Sequence, residues 1–160
     1  IYKVNEIKKN IGFFTSGNEL IYTLVGQQIE RLEENLLKRF KIAMFYNENL
    51  PKELTTYMID LRERTIYFKY ILKSFKEFNS IKLNYEEKGI SVRQAVDNLN
   101  HRNLNLPTEM YKNSEYFFNN TFSIPIYPHL NKNQIEYIVA VTNELYQEDK
   151  IWIKKLLSST

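Results

Sequence analysis

The side chains able to do chemistry in this sequence are few. Arg93, His101 and Arg102 stand close together around the asparagine-rich stretch from Asp97 to Pro107, DNLNHRNLNLP. Two guanidinium groups and an imidazole there would make a small anion-binding group; the alternative is a set of exposed loop side chains. Gly12 to Gly17, GFFTSG, puts two glycines ahead of a helix start, where backbone N–H groups could cradle a phosphate. The alternative at that point is an ordinary capped helix. His129, between Pro128 and the next helix, reads as structural or solvated. With no cysteine, two histidines, no H-E-x-x-H and no glycine-rich phosphate loop, neither a zinc site nor a Cys–His pair can be assembled. No catalytic side chain and no metal ligand is assigned.

These groups must be positioned by the elements around them. Ser16 and Glu19 form an S-x-x-E capping box, with Asn18 a competing N-cap. Ile21, Val25, Ile29, Leu32, Leu36, Phe40 and Ala43 or Met44 follow at steps of three and four. This spacing predicts one long helix ending near Asn49, before Pro51, with Glu34 and Lys38 as an i, i+4 pair on its charged face. After Pro51 the apolar period falls to two, predicting strands over Tyr57–Leu61 and Ile66–Leu72. Phe75, Phe78, Ile81 and Tyr85 return to helical spacing, and Gly89 sits where a helix end favours positive φ. Ile90 to Val96 predicts a third strand, Asp97 to Pro107 a loop, and Ser114 to Phe122 a short helix.

The stretch Ser123 to Leu145 closes the unit. Ile124-Pro125-Ile126-Tyr127-Pro128 is a stiff apolar turn, and Asn131 with Gln134 caps a helix whose stripe is Ile135, Ile138, Val139, Thr142, Leu145 and Tyr146. Together these elements predict an α/β (α+β) fold, a small three-stranded sheet packed by helices and preceded by one long helix. Residues 1–160 read as a single domain: a turn and long linking helix over 1–50, a small α/β domain over 51–146, and a C-terminal helical extension over 147–160.

The composition is globular, with 43% apolar and 26% charged residues, and a net charge of +3 is too small and dispersed to imply nucleic acid. The absence of cysteine fits a reducing compartment, and no apolar run approaches the ~18 residues of a membrane span. A soluble, cytoplasmic protein is expected. The chain opens on Ile1 rather than methionine and reads as a fragment of a longer polypeptide.

Four ordered segments resemble the C-terminal half of the pyridoxal-phosphate-dependent nucleotide-sugar aminotransferases, the DegT/StrS group of fold type I. Gly12 through Leu32 resembles that family's glycine turn, S-E-L/I, helix and closing Q-L-E-R-L. Lys38 to Leu50 resembles its R-R-x-x-A-x-x-Y-x-x-x-L helix. Gly89-Ile90-Ser91-Val92-Arg93 resembles L-x-x-x-G-I-x-T-R, which leads to a loop histidine matched here by His101. Phe122 to Leu145 resembles the closing L-P-I/L-Y-P-x-L-S/T-x-x-Q/E-I/V-x-Y-I/V, the most specific of the four.

The resemblance implies a transaminase using pyridoxal phosphate to move an amino group, usually from glutamate, to a keto-sugar nucleotide such as a thymidine-diphosphate 4-keto-6-deoxyhexose. It implies a homodimer, substrate anions bound by Arg93 and His101, and the turn at Ser16 approaching the partner subunit's cofactor. The family's cofactor lysine lies in a large N-terminal domain; Lys3, Lys8 and Lys9 are too close to Gly12 to replace it, so this chain alone is expected to be inactive. Phe14 stands where many members have asparagine, Ser16 where they have arginine, and His101 sits one residue late. Those departures give the alternative of a non-catalytic binding or regulatory module that keeps the small-domain fold.

Overall fold

The helix expected after the glycine turn forms in two pieces, α1 (Glu19–Glu30) and α2 (Leu32–Asn49), interrupted at Arg31. No proline or glycine stands at Arg31 to account for the break. The computed structural model describes residues 19–55 and 66–158, with side chains over 21–55 and 66–151. These fall into two compact units, one ending at Asn35 and the other beginning at Leu36. In the first, the stripe residues Ile21, Val25 and Ile29 are exposed. In the second, Ile42, Ala43 and Tyr46 of α2 are buried.

The second unit is built on a three-stranded antiparallel sheet of order β1-β3-β2, with β1 Tyr70–Lys73, β2 Arg93–Gln94 and β3 Thr121–Ile124. The register pairs Leu72 with Phe122 on one side of β3, and Arg93 with Ser123 on the other. A small sheet packed by helices was expected, but its membership differs. The central strand is β3, whose residues were read as the end of a helix and the start of a turn; the helix there, Lys112–Asn119, stops earlier. Strand pairing covers only the end of Ile66–Leu72 and two residues of Ile90–Val96, because the alternation there records burial of Ile90 and Val92 rather than ladder hydrogen bonds. The expected strand Tyr57–Leu61 lies outside the described residues; just before it, Thr55 makes an isolated bridge to Leu72.

Between β1 and β2 runs α3 (Phe78–Glu87). It ends as a Schellman motif: Gly89 takes φ 72°, its N–H donates to Glu86 O at 2.9 Å, and Ile90 N–H donates to Tyr85 O at 2.9 Å. Ile90 and Tyr85 then meet the same core. After β2, the stretch expected to be a loop contains a short helix, α4 (Asn100–Asn103). It closes where Leu106 N–H returns to His101 O at 2.9 Å, with Asn105 at φ 52°, a conformation its short polar side chain tolerates. A 3-10 turn (Thr108–Tyr111) leads into α5 (Lys112–Asn119) and then β3.

The last element, α6 (Lys132–Ser158), is one continuous 27-residue helix, so the expected C-terminal extension continues the closing helix. Its start is the reciprocal capping box: Gln134 N–H donates to Asn131 Oδ1 at 2.9 Å, and Asn131 N–H donates to Gln134 Oε1 at 3.0 Å. The core gathers Tyr46, Tyr70, Leu72, Tyr85, Phe122 and Ile124 with the α6 residues Ile138, Val139, Leu145 and Tyr146. Thr142 satisfies its buried hydroxyl twice, donating to Ile138 O at 2.7 Å and pairing with Tyr85 Oη at 3.1 Å. Loss of the cap is measurable in urea: Asn131→Ala is expected to lower unfolding free energy by about 1 kcal/mol, and Asn131→Gly by only a few tenths.

Candidate functional site

Where β3 leaves the sheet, the second unit opens a groove of about 540 Å3. Its floor is Ser123 to Tyr127, one wall is the Gly89–Ser91 turn with Arg93, and the other is the first turns of α6, with Gln134, Tyr137 and Ile138. Arg39 of α2, Phe68 and Lys69 complete it. Register with β3 sets Arg93 on the groove wall: it pairs with Ser123, whose Oγ donates to Arg93 O at 3.3 Å. The Arg93 side chain is exposed and makes no ion pair among the described residues. The Schellman turn is tied to α6 by Tyr137, whose Oη donates to Lys88 O at 3.0 Å.

Among the described residues, three cations and no carboxylate line this groove. Arg39 Nη1 donates to Tyr67 O at 3.2 Å, which fixes its guanidinium and leaves further N–H donors available. Lys69 pairs with Asp97 at 2.9 Å and donates to Gln94 O at 3.3 Å. Its ammonium holds the Asp97 carboxyl below the usual carboxylate range. Arg39, Lys69 and Tyr137 were not singled out from the sequence. Tyr137 had a usable signal, since it lies one turn after Gln134 and off the apolar stripe of α6.

His101 occupies different surroundings. It is buried in α4, with Nε2 at 2.7 Å from Glu115 Oε1 and its ring stacked on Tyr111 at 4.4 Å. An ionised carboxylate only accepts, so Nε2 carries the proton. Arg102 forks onto the same carboxylate, Nε donating to Oε1 at 2.9 Å and Nη2 to Oε2, while its guanidinium lies over the Phe118 ring at 4.6 Å. The anion-binding group suggested by the sequence is therefore divided. Arg93 lines the groove; His101 and Arg102 converge on Glu115, fourteen residues further along the chain. His129 is exposed, and Ser16 lies outside the described residues.

A pyridoxal phosphate site needs an amine free to form a Schiff base, a carboxylate at the pyridine nitrogen and donors for the phosphate. The groove supplies the donors, but its lysine is engaged by Asp97 and no carboxylate lines it among the described residues. The described residues do not make that site by themselves. They also contain no cluster of three or more His, Asp or Glu able to hold a metal, and no helix long and apolar enough to cross a membrane.

Hydrogen bonds first from Arg102 and then from His101 pull the Glu115 carboxyl from 4.5 down to about 2. A depressed carboxyl contributes stability that is complete above its unfolded value and lost as pH falls through its folded value. Glu115→Gln is therefore expected to melt below the parent at neutral pH. Thermal melts followed by circular dichroism should show the two curves converging between pH 4.5 and 2.

Solved structures similar to this chain include sugar aminotransferases. Spr1654 of Streptococcus pneumoniae, assigned as a sugar aminotransferase and solved in its PMP form, superposes with a TM-score of 0.68 at 17% identity, over 79% of this chain and 35% of its own. S. venezuelae DesV, in complex with a ketimine intermediate, gives 0.65 at 16% identity over 76% and 34%. A DegT DnrJ EryC1 StrS aminotransferase from Brucella abortus gives 0.63 at 20% identity over 74% and 33%. The chain thus spans about a third of the length of these proteins. No curated protein matches it. The family model for DegT/DnrJ/EryC1/StrS aminotransferases matches residues 4–143. This chain belongs to the DegT/DnrJ/EryC1/StrS aminotransferase family.

Proposed function

We propose that this chain is the C-terminal part of a pyridoxal-phosphate-dependent enzyme that transfers an amino group from glutamate to a keto-sugar nucleotide, working as a cytoplasmic homodimer. The family match from residue 4 to residue 143 carries this reading. The cofactor and the lysine that holds it belong to the portion of such an enzyme that this chain does not span. The chain's own contribution is to bind and orient substrate. Arg93, exposed on a groove lined by cations, is the direct anion ligand. His101, buried against Glu115, serves by holding α4 and α5 together after β2. Ser16 keeps the role that the family pattern gives it, at the turn facing the partner subunit's cofactor.

The native polypeptide bearing this chain, supplied with pyridoxal phosphate, glutamate and a thymidine-diphosphate 4-keto-6-deoxyhexose, should release 2-oxoglutarate. A folded protein that releases none with any keto-sugar nucleotide ends the reading. In the active enzyme, Arg93→Met is expected to raise KM for the keto-sugar nucleotide by about 10- to 100-fold, the effect of losing a charge-assisted hydrogen bond, and to leave KM for glutamate unchanged.

A further inference from the structure

Among the described residues, Lys69 is the groove cation that a carboxylate already holds, and the two partners stand in unlike surroundings. Its side chain starts just before β1 and ends beyond the central strand, donating to Gln94 O of β2 at 3.3 Å and to Asp97 Oδ1 at 2.9 Å. The Lys69 side chain is 16% exposed and that of Asp97 88%. The ammonium is therefore fixed on the groove by a backbone carbonyl, whereas the carboxylate comes from a stretch already leaving the sheet for α4. An exposed carboxylate loses little when it returns to water, because hydration replaces most of the attraction it gives up. Asp97 also feels Arg93: its carboxyl is held below the usual range chiefly by the Lys69 hydrogen bond, and further by the Arg93 charge. One acid thus offsets positive charge at two groove cations while standing outside the groove lining.

We propose that Asp97 is a displaceable counter-ion of the groove, holding the Lys69 ammonium until a substrate anion takes its place. The inference rests on the reading that substrate anions bind here, and it adds what limits their affinity. An incoming phosphate exchanges the Lys69–Asp97 pair for a Lys69–phosphate pair, with Lys69 kept in position by Gln94 O. Part of each anion's attraction goes into that exchange, so the groove holds anions less tightly than its cations alone would and releases them sooner.

Titration calorimetry of the full chain with inorganic pyrophosphate tests this. Asp97→Asn is expected to tighten pyrophosphate binding about fivefold at low ionic strength, the upper range of an exposed ion pair. That gain should shrink to less than about twofold in about 0.5 M salt, where exposed charges are screened within a few ångströms. Asp97→Glu, which keeps the charge, should bind like the parent. In a Lys69→Met background, which keeps the aliphatic stem without the charge, Asp97→Asn should change nothing. Each variant must first show the parental circular dichroism spectrum, and Lys69→Gln replaces Lys69→Met if the latter does not. An unchanged affinity in Asp97→Asn overturns the proposal, as does a gain that persists in full without Lys69. Failure of both the parent and Asp97→Asn to bind pyrophosphate overturns it too. In the active enzyme, Asp97→Asn should lower KM for the keto-sugar nucleotide about fivefold and leave KM for glutamate unchanged. An enzyme that transaminates with that KM unmoved overturns the counter-ion alone, whereas an enzyme that transaminates none overturns the functional reading beneath it.

Discussion

A four-residue strand with a neighbour on each side holds the second unit together. Thr121–Ile124 is buried at every position and pairs with β1 along one edge and β2 along the other. Its polar side chains are satisfied locally: Thr121 Oγ1 donates to Phe117 O at 2.6 Å, and Ser123 Oγ donates to Arg93 O. Pro125 has no N–H to offer a neighbour, so the ladder stops there. Its carbonyl is taken by Tyr46 Oη at 2.8 Å, which fastens α2 to the end of the sheet. Burial pushes the Tyr46 phenol upward, so it remains a neutral donor, and its ring meets Tyr70 edge-on at 5.1 Å. Among the described strands, β1 and β2 pair only with β3, and the end of β3 carries the Pro125 carbonyl that Tyr46 holds.

The groove follows from the same geometry. A strand that ends at proline must turn, and the rigid Ile124–Pro128 segment turns toward the capped start of α6. Opposite it, the Schellman turn at Gly89 directs the chain from α3 into β2 within three residues, which brings Arg93 onto the wall at its pairing with Ser123. Tyr137 closes the arrangement by bonding α6 to that turn. The site is therefore made from the ends of regular elements, where backbone direction is fixed by hydrogen bonds and side chains remain open to ligand.

Much of this was legible from residue types. The Asn131–Gln134 box, the positive φ at Gly89, the α6 stripe and the four ordered motifs depend on local chemistry or spacing, and each can be read without knowing what lies across the fold. The central strand could not be read that way. Thr121 and Ser123 are buried against carbonyls as fully as Phe122 and Ile124 are buried in the core, so T-F-S-I lacks the inside-outside contrast that marks an exposed sheet. The same limit applies to His101. Its asparagine-rich surroundings predict a solvated loop, and burial becomes affordable only through Glu115, whose place beside it is set by the intervening helix and 3-10 turn. Arg39 belongs to a helix whose local spacing shows only a charged face, and its carbonyl partner at Tyr67 is twenty-eight residues away, so its place in the groove is not legible from its neighbours.

Charge shows why local arrangement outweighs composition here. A net +3 spread over 160 residues says little about ligands. Folding then sorts those charges. Arg102 and His101 converge on Glu115, Lys88 meets Glu144 at 2.8 Å and Lys76 pairs with Asp149, so many of the basic groups are matched by a carboxylate. Lys69 is matched as well, by an Asp97 that is itself largely exposed to screening water. Arg93 and Arg39 are left facing a concave surface whose described lining includes no acid. Inside a groove, low-dielectric walls concentrate the field of two such cations more than the same charges on open surface would. A chain with almost no net charge can therefore present a locally cationic groove.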